Sequence, residues 1–484
     1  MVQQALLSLI SIMAFCAVGA STARADALSE WLKAQVPYST RVMLGNIGPS
    51  SSAPDAAPGA VVASQSFDPF YRYHWIRDGA LTMDVVVGLY ERVTDSNQRA
   101  HLADLLTQYV EFSRRNQLTN NPSGGADGLG LGEPKFNLNG SAYTGDWNRP
   151  QNDGPGLRAS TLVHLARVLT AEGHEDWVRH NLYRVVKADM EFVSHHWRDT
   201  SFDLWEEVKG DHFYTRLVQR RGLLDGAQLA DRLSDFEAAK WYRQQAREME
   251  PEIARHWDAG RGYITVTLNR DGGLDYKSSG LDSAIVLAAL HASPRNGGND
   301  LFFGVTDDRV LTTAGRIAMA FRQSYGVNAR DRNWDGQPMG PGIGRYPEDR
   351  YSGAASGQGN PWFLATNAFA ELYYRCAHVW ETQGHIKITP VRAQLFASLG
   401  IFNTLAVQSL QDGEVLDNSD PRFQLAIEGL RETADSYLRR SQFHADNRGA
   451  MSEQFNRDSG YMQSAAELTW SHASVLTAAW EHGK

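Results

Sequence analysis

Residues 161–169 read Thr-Leu-Val-His-Leu-Ala-Arg-Val-Leu. Leu162, Leu165, Ala166 and Leu169 fall at i, i+3, i+4 and i+7, the spacing of one buried helix face. Ile285, Val286, Ala289 and Leu290 lie in a second apolar helical segment. Similar segments run through 79–93, 101–117, 181–197, 236–257, 309–325, 361–382, 391–408, 422–441 and 465–481. Strand signals are few: Tyr263 to Leu268, followed by Asn269-Arg270-Asp271-Gly272-Gly273, is the best hairpin candidate. The chain is therefore mainly α. Between the helices lie four long segments rich in Gly, Asn, Asp, Pro and aromatics: 120–156, 199–216, 326–361 and 444–464. Loops of that length in a compact domain are usually functional. The Pro/Ser/Ala stretch 49–60 reads as a surface loop rather than a domain linker.

The 484 residues are 42% hydrophobic and 21% charged, a globular balance that excludes disorder and collagen. Lys and Arg number 47 against 56 Asp and Glu, giving a net charge of −9. That balance, with no basic block, speaks against a nucleic-acid or anionic-membrane partner. Ala5 to Ala20 form an apolar run followed by Ala23-Arg24-Ala25, the pattern of a secretory signal peptide over 1–25. The run is short for a membrane span of ~20 residues. Cleavage there leaves a domain over 26–484, expected to be secreted, with Cys376 as its single cysteine and stability drawn from a large core.

Loop 199–216 contains Asp203-Leu204-Trp205-Glu206-Glu207-Val208, two adjacent acids in an apolar setting. Burial disfavours a charged carboxyl, so one of them is suited to hold its proton as a general acid. Loop 444–464 offers a second carboxyl in Met451-Ser452-Glu453-Gln454-Phe455. Other loops hold Tyr71-Arg72-Tyr73-His74-Trp75-Ile76-Arg77-Asp78, Tyr143-Thr144-Gly145-Asp146-Trp147 and Gly344-Arg345-Tyr346-Pro347-Glu348-Asp349. Indole and phenol faces stack on the C–H faces of sugars while Asp and Arg bind hydroxyls, so this alphabet suits a carbohydrate pocket.

These stretches resemble the fungal glucoamylases of glycoside hydrolase family 15. Also matching are Asn46-Ile47-Gly48, Leu129 to Asn137, Arg149-Pro150-Gln151, Asp153-Gly154-Pro155, Asn360 to Leu364 and Leu468-Thr469-Trp470-Ser471, in one order from about 40 to 481. The resemblance implies a single catalytic domain, an (α/α)6 toroid of six inner and six outer helices with the site at one end. It implies Glu206 as general acid and Glu453 as general base, with inversion and release of β-glucose from non-reducing ends of α-glucans. Trp75, Arg77 and Asp78 would grip the terminal glucose, and Glu207 and Arg345 the next sugar. Tyr71 and Gln454 would help orient water, Trp147 would border the acid, and Tyr346, Trp362 and Trp470 would shape the pocket. The route needs no metal or organic cofactor, and a monomer is expected. Neighbouring Glu207 and an apolar wall would raise the acid's pKa, while an open, hydrogen-bonded setting would keep the base charged. Asp146, Asn456, Glu467 and His472 depart from the family pattern, and no starch-binding module is expected after the last motif.

Other features carry blander expectations. Asp331 to Gly336 opens like a calcium loop, but Gly342 stands where a ligand Glu belongs and Pro338 breaks the geometry. His195-His196 lacks zinc-ligand spacing, Cys376 suits a buried inert thiol, and Asn139-Gly140-Ser141 is a glycosylation sequon. Other inverting toroid glycosidases, acting on trehalose or another glucoside, and an inactive carbohydrate-binding toroid are the alternatives. Retention of both Glu206 and Glu453 argues against the last.

Overall fold

The computed structural model describes residues 27–484 apart from 51, 126–127, 295–299, 354–355 and 401–409. The expected signal peptide over 1–25 and residues 401–408 of the segment 391–408 lie outside the described residues. Six helices form a closed inner ring: Ile76–Arg92 packs on Asp153–Ala171, then Phe213–Arg232, Ala284–Ala292, Phe363–Gln383 and Thr469–His482, which returns to the first. The outer layer comprises 27–45, Ser96–Leu118, Tyr183–His196, Phe236–Ala254, Asp308–Ser324 and Pro421–His444. The fold is thus the expected (α/α)6 toroid.

Sequence explains the two layers. Ala284–Ala292 reads AIVLAALHA and is buried from Ala284 through Leu290, as a helix surrounded by others must be. Phe236–Ala254 instead buries one stripe, Ala238, Ala239, Tyr242, Gln245, Ala246, Met249 and Ile253, and turns its charges outward. Asp95, Asp235, Asp307 and Asp420 cap outer helices by accepting from backbone amides. Asp282 does the same for the inner helix Ala284–Ala292, accepting from the Ala284 amide at 2.8 Å, while among the described residues the other five inner helices start without a side-chain cap. Their N-termini meet at one end of the ring, and the loops entering them carry the residues around the cavity described below. Aligned helix dipoles favour negative charge there.

Two helices escape the sequence reading, 27–45 and Phe213–Arg232. Gly222 and Gly226 resemble helix breakers, but both are packing residues. A Cβ on Gly222 would come within 2.8 Å of the Gly156 carbonyl oxygen, and one on Gly226 would meet Met190 at 2.6 Å. The expected hairpin is also corrected. Tyr263–Ile264 pairs with Trp257–Asp258, and Thr267–Leu268 pairs with Lys209–His212, so the partners precede the Asn269–Gly273 turn rather than follow it. Cys376 is fully buried, and burial pushes its thiol up. In the Asp331 loop the Asn333 side chain is taken up by the amides of Asp335 and Gln337.

Candidate active site

A cavity of about 730 Å3 opens at the end of the ring where the inner helices begin. Its walls include Tyr71, Trp75, Arg77, Asp78, Trp147, Glu206, Glu207, Arg345, Trp362, Glu453 and Trp470, which five separate loops deliver to one place. Tyr346 and Gln454, expected to touch substrate or its water, do not reach it. Both are fully buried behind the wall.

The Asp203–Val208 turn is organised by its first residue. Asp203 Oδ1 accepts from the amides of Glu207 (2.7 Å) and Val208 (3.1 Å), and Oδ2 from Lys277 Nζ (2.8 Å). Burial pushes the Asp203 carboxyl up, but Lys277 and these donors outweigh it and hold the group at about 2. Trp205 is pinned by its Nε1, which donates to Asp282 at 2.8 Å. Glu206 takes the left-handed backbone, φ 67°, a conformation that costs a non-glycine residue about 1–2 kcal/mol. The turn thereby sends adjacent carboxylates to different partners.

Glu206 Oε1 accepts from Trp75 Nε1 at 2.8 Å and Gln151 Nε2 at 3.1 Å, and Arg77 Nη2 lies 3.6 Å away. Arg77 is held in turn by Asp153 at 2.8 Å and the Gln151 side-chain oxygen at 3.1 Å. All hydrogen bonds to the Glu206 side chain thus fall on one oxygen. Glu207 differs: Arg345 Nη2 donates to Oε1 at 2.8 Å and Tyr346 Oη to Oε2 at 2.6 Å. Lys277 stands 3.5 Å from Oε2, and Asp349 holds Arg345 through two bonds of 2.6 and 2.9 Å. Tyr346 therefore positions Glu207 instead of shaping the cavity.

Glu453 arrives from the opposite end of the chain. Gln454–Phe455 pairs with Met462–Gln463, and the Phe455 ring packs between Phe363 and His444, so the loop is drawn into the mouth of the ring. Tyr71 Oη donates to Oε1 at 2.8 Å, while Ser464 Oγ and Gln454 Nε2 donate to Oε2 at 2.5 and 2.9 Å. Gln454 is fixed by Asn360 on its other side. The expectation of an open base fails. Glu453 is only 1% exposed, and burial pushes its carboxyl up to about 7 against the hydroxyl donors and Arg345. Burial and the nearby Glu206 likewise raise Asp78 to about 6, with Arg77 opposing.

Aromatic rings complete the walls: Trp75 faces Trp147 at 6.0 Å, and Trp362 contacts Trp205 at 5.5 Å and Tyr351 at 6.2 Å between centroids. Several contributors had no sequence-based role. Lys135 sits inside the quoted stretch Leu129–Asn137, its Nζ 3.3 Å from the Trp147 ring centroid and 4.0 Å from those of Tyr73 and Tyr143. Burial lowers its pKa to about 8. Gln151 and Tyr351 stand in or beside matched motifs and could have been found there. Lys277 and Ser464 lie in stretches without a distinguishing pattern. Two acids on one sugar-sized cavity, one with a singly engaged carboxyl and one deeply buried, can exchange protons across a bond held between them.

The family model of the Glycosyl hydrolases family 15 matches residues 38–480. A glucoamylase of Blastobotrys adeninivorans is 37% identical over 94% of this chain and 72% of its own length. Glucoamylase 1 of Rhizopus oryzae is 36% identical over 94% of this chain and 71% of its own. Among solved structures, the glucoamylase from Saccharomycopsis fibuligera superposes with a TM-score of 0.85 at 32% identity, covering 94% of this chain and 95% of that one.

Proposed function

The chain belongs to the glycosyl hydrolases of family 15, and from that premise we propose that Glu206 protonates the glycosidic oxygen while Glu453 takes the proton of the attacking water. The enzyme is a glucan 1,4-α-glucosidase of the glucoamylase kind, removing glucose from the non-reducing ends of starch-type chains. The observation that carries the division of labour is the pairing around Glu207. Both of its oxygens are taken, by Arg345 and by Tyr346, whereas the bonds to Glu206 leave its second oxygen without a partner among the described residues. A proton donor must turn an oxygen toward the leaving group, and Glu206 is the adjacent acid able to do so.

Glu453 accepts three hydrogen bonds, an arrangement that fixes its orientation and favours its ionised form. A base whose pKa is raised by burial takes a proton more readily but is ionised only toward neutral pH. Inverting hydrolysis places the two carboxyls about 6.5–9.5 Å apart with water between base and anomeric carbon. Arg77 and Asp78 are assigned to hydroxyls of the terminal glucose, Glu207 and Arg345 to the next sugar, and Trp75, Trp147, Trp362 and Trp470 to the sugar faces. Tyr71 orients Glu453 and the water beside it.

Among the described residues no helix is long and apolar enough to cross a membrane. Secretion is proposed from the Ala5–Ala20 run and the Ala23-Arg24-Ala25 site, and a mature N-terminus at Asp26 in culture medium tests it. The roles are tested by Glu206→Gln and Glu207→Gln. The first should lose turnover with the fold intact, by ~10²–10⁴-fold. The second should impair binding of the chain more than protonation. Near-normal turnover in Glu206→Gln would reassign the acid.

A further inference from the structure

The aromatic wall of the cavity does not stop at its mouth. From Trp75, Tyr73 stands 5.8 Å away, Phe70 lies 5.2 Å beyond Tyr73, and Phe67 a further 5.9 Å, all between ring centroids. Phe70 lines the cavity, and Phe67 is 72% exposed. Large phenyl rings left in water beside a functional cavity mark a contact surface when something fixes them in place. Here three features do. Phe67 and Phe70 are paired through their backbones across the Asp68-Pro69 turn, and the Tyr71 amide donates to the Ser66 carbonyl at 3.1 Å. The Arg72 guanidinium sits 5.2 Å from the Phe67 ring centroid and is itself bonded to Asp55 and Gln65. The ring is held from below and left uncovered above. Tyr71, the next residue, donates to Glu453, so the turn is in rigid continuity with the acid–base pair.

We propose that Phe67 and Phe70 form a stacking platform for sugar units on the reducing-end side of the scissile bond, running from the cavity wall at Phe70 out to Phe67. The inference rests on the α-glucan reading of the cavity. An enzyme that takes non-reducing ends into a closed pocket leaves the rest of its substrate emerging through the mouth, where these two rings stand. Pyranose rings present C–H faces to phenyl groups, and the Arg72 and Gln65 side chains offer partners for the hydroxyls at their edges. A disaccharide is too short to reach Phe67, whereas a heptasaccharide crosses it. The platform thus makes efficiency depend on chain length.

The test compares kcat/KM on maltoheptaose and on maltose for the full enzyme, Phe67→Ala, Phe67→Tyr and Phe67→Ala/Phe70→Ala, with thermal unfolding as the check on folding. Loss of one aromatic face should lower the maltoheptaose-to-maltose ratio roughly three- to ten-fold, chiefly through KM on the long substrate. Phe67→Tyr, which keeps the ring, should restore it. A ratio unmoved in Phe67→Ala, or lowered as much in Phe67→Tyr, overturns the platform while leaving the pocket reading intact. Wild-type enzyme inert on both sugars overturns that reading and the platform with it.

Discussion

Ser464→Ala removes one donor from a buried carboxylate, together with a longer contact of 3.3 Å to the Gly353 carbonyl. Ser464 Oγ lies 2.5 Å from Glu453 Oε2, the shortest of the three bonds on that side chain. A hydrogen bond to a charged group contributes about 1.5–3 kcal/mol, and one pKa unit is about 1.4 kcal/mol. Its loss should therefore raise the Glu453 pKa by roughly one to two units. The sign follows from the chemistry: the hydroxyl donates to the ionised form, so removing it favours protonation. In the proposed role of general base Glu453 must be ionised, and the acidic limb of kcat/KM on maltose reports that ionisation in the free enzyme. The limb should move to higher pH by that amount, with activity on its plateau kept within a few-fold. Tyr71→Phe, which removes the 2.8 Å bond to Oε1, should move it the same way. A limb that stays put, that moves to lower pH, or a loss confined to the alkaline side would refute the assignment of Glu453 as an ionised base.

Lys277→Met should destabilise the fold by about 3–5 kcal/mol, because it strands Asp203 and Asp282 as buried carboxyls without their shared cation; denaturant unfolding at neutral pH measures it. Asp203, held at about 2 in the fold, stabilises the protein above its unfolded pKa near 4 and stops doing so as pH falls through 2. The Lys277→Met penalty should accordingly shrink as the medium is acidified across that window. Gly222→Ala places a methyl group within 2.8 Å of the Gly156 carbonyl oxygen and should cost about 1–3 kcal/mol by prising apart two inner helices. A thermal midpoint equal to wild type would show that the helices can separate freely. Trp147→Ala should raise KM for maltooligosaccharides and should also alter the titration of Lys135, whose Nζ lies over that ring.

The ring of helices was legible because inner helices are apolar nearly all round, as in Ala284–Ala292, and outer ones carry a single stripe, as in Phe236–Ala254. Phe213–Arg232 was not legible, since its glycines look like breakers until Gly156 is seen against Gly222. The wall residues were readable as strings because short runs of aromatic and charged residues stand out in the loops, two of them running straight into an inner helix, Trp75 before Ile76 and Trp362 before Phe363. Pairings across the site were not. Arg345 and Glu207 are 138 positions apart, and no local pattern says which carboxylate an arginine will clamp. The burial of Glu453 escapes a local reading for a related reason. It depends on the Phe455 ring entering between Phe363 and His444, a tertiary contact with no trace in the loop's polar composition.

In the proposed mechanism Glu206 and Glu453 act as an acid–base pair on a terminal glucose, with water as the only nucleophile. Early-time proton NMR of maltoheptaose hydrolysis tests substrate, position of attack and stereochemistry together. Glucose is expected as the sole first small product, released as the β-anomer and drifting to the α/β mixture only by mutarotation. First release of α-glucose would place Glu453 on the anomeric carbon as nucleophile, and first release of maltose or longer fragments would show that the cavity does not close around a chain end; either contradicts the proposed roles.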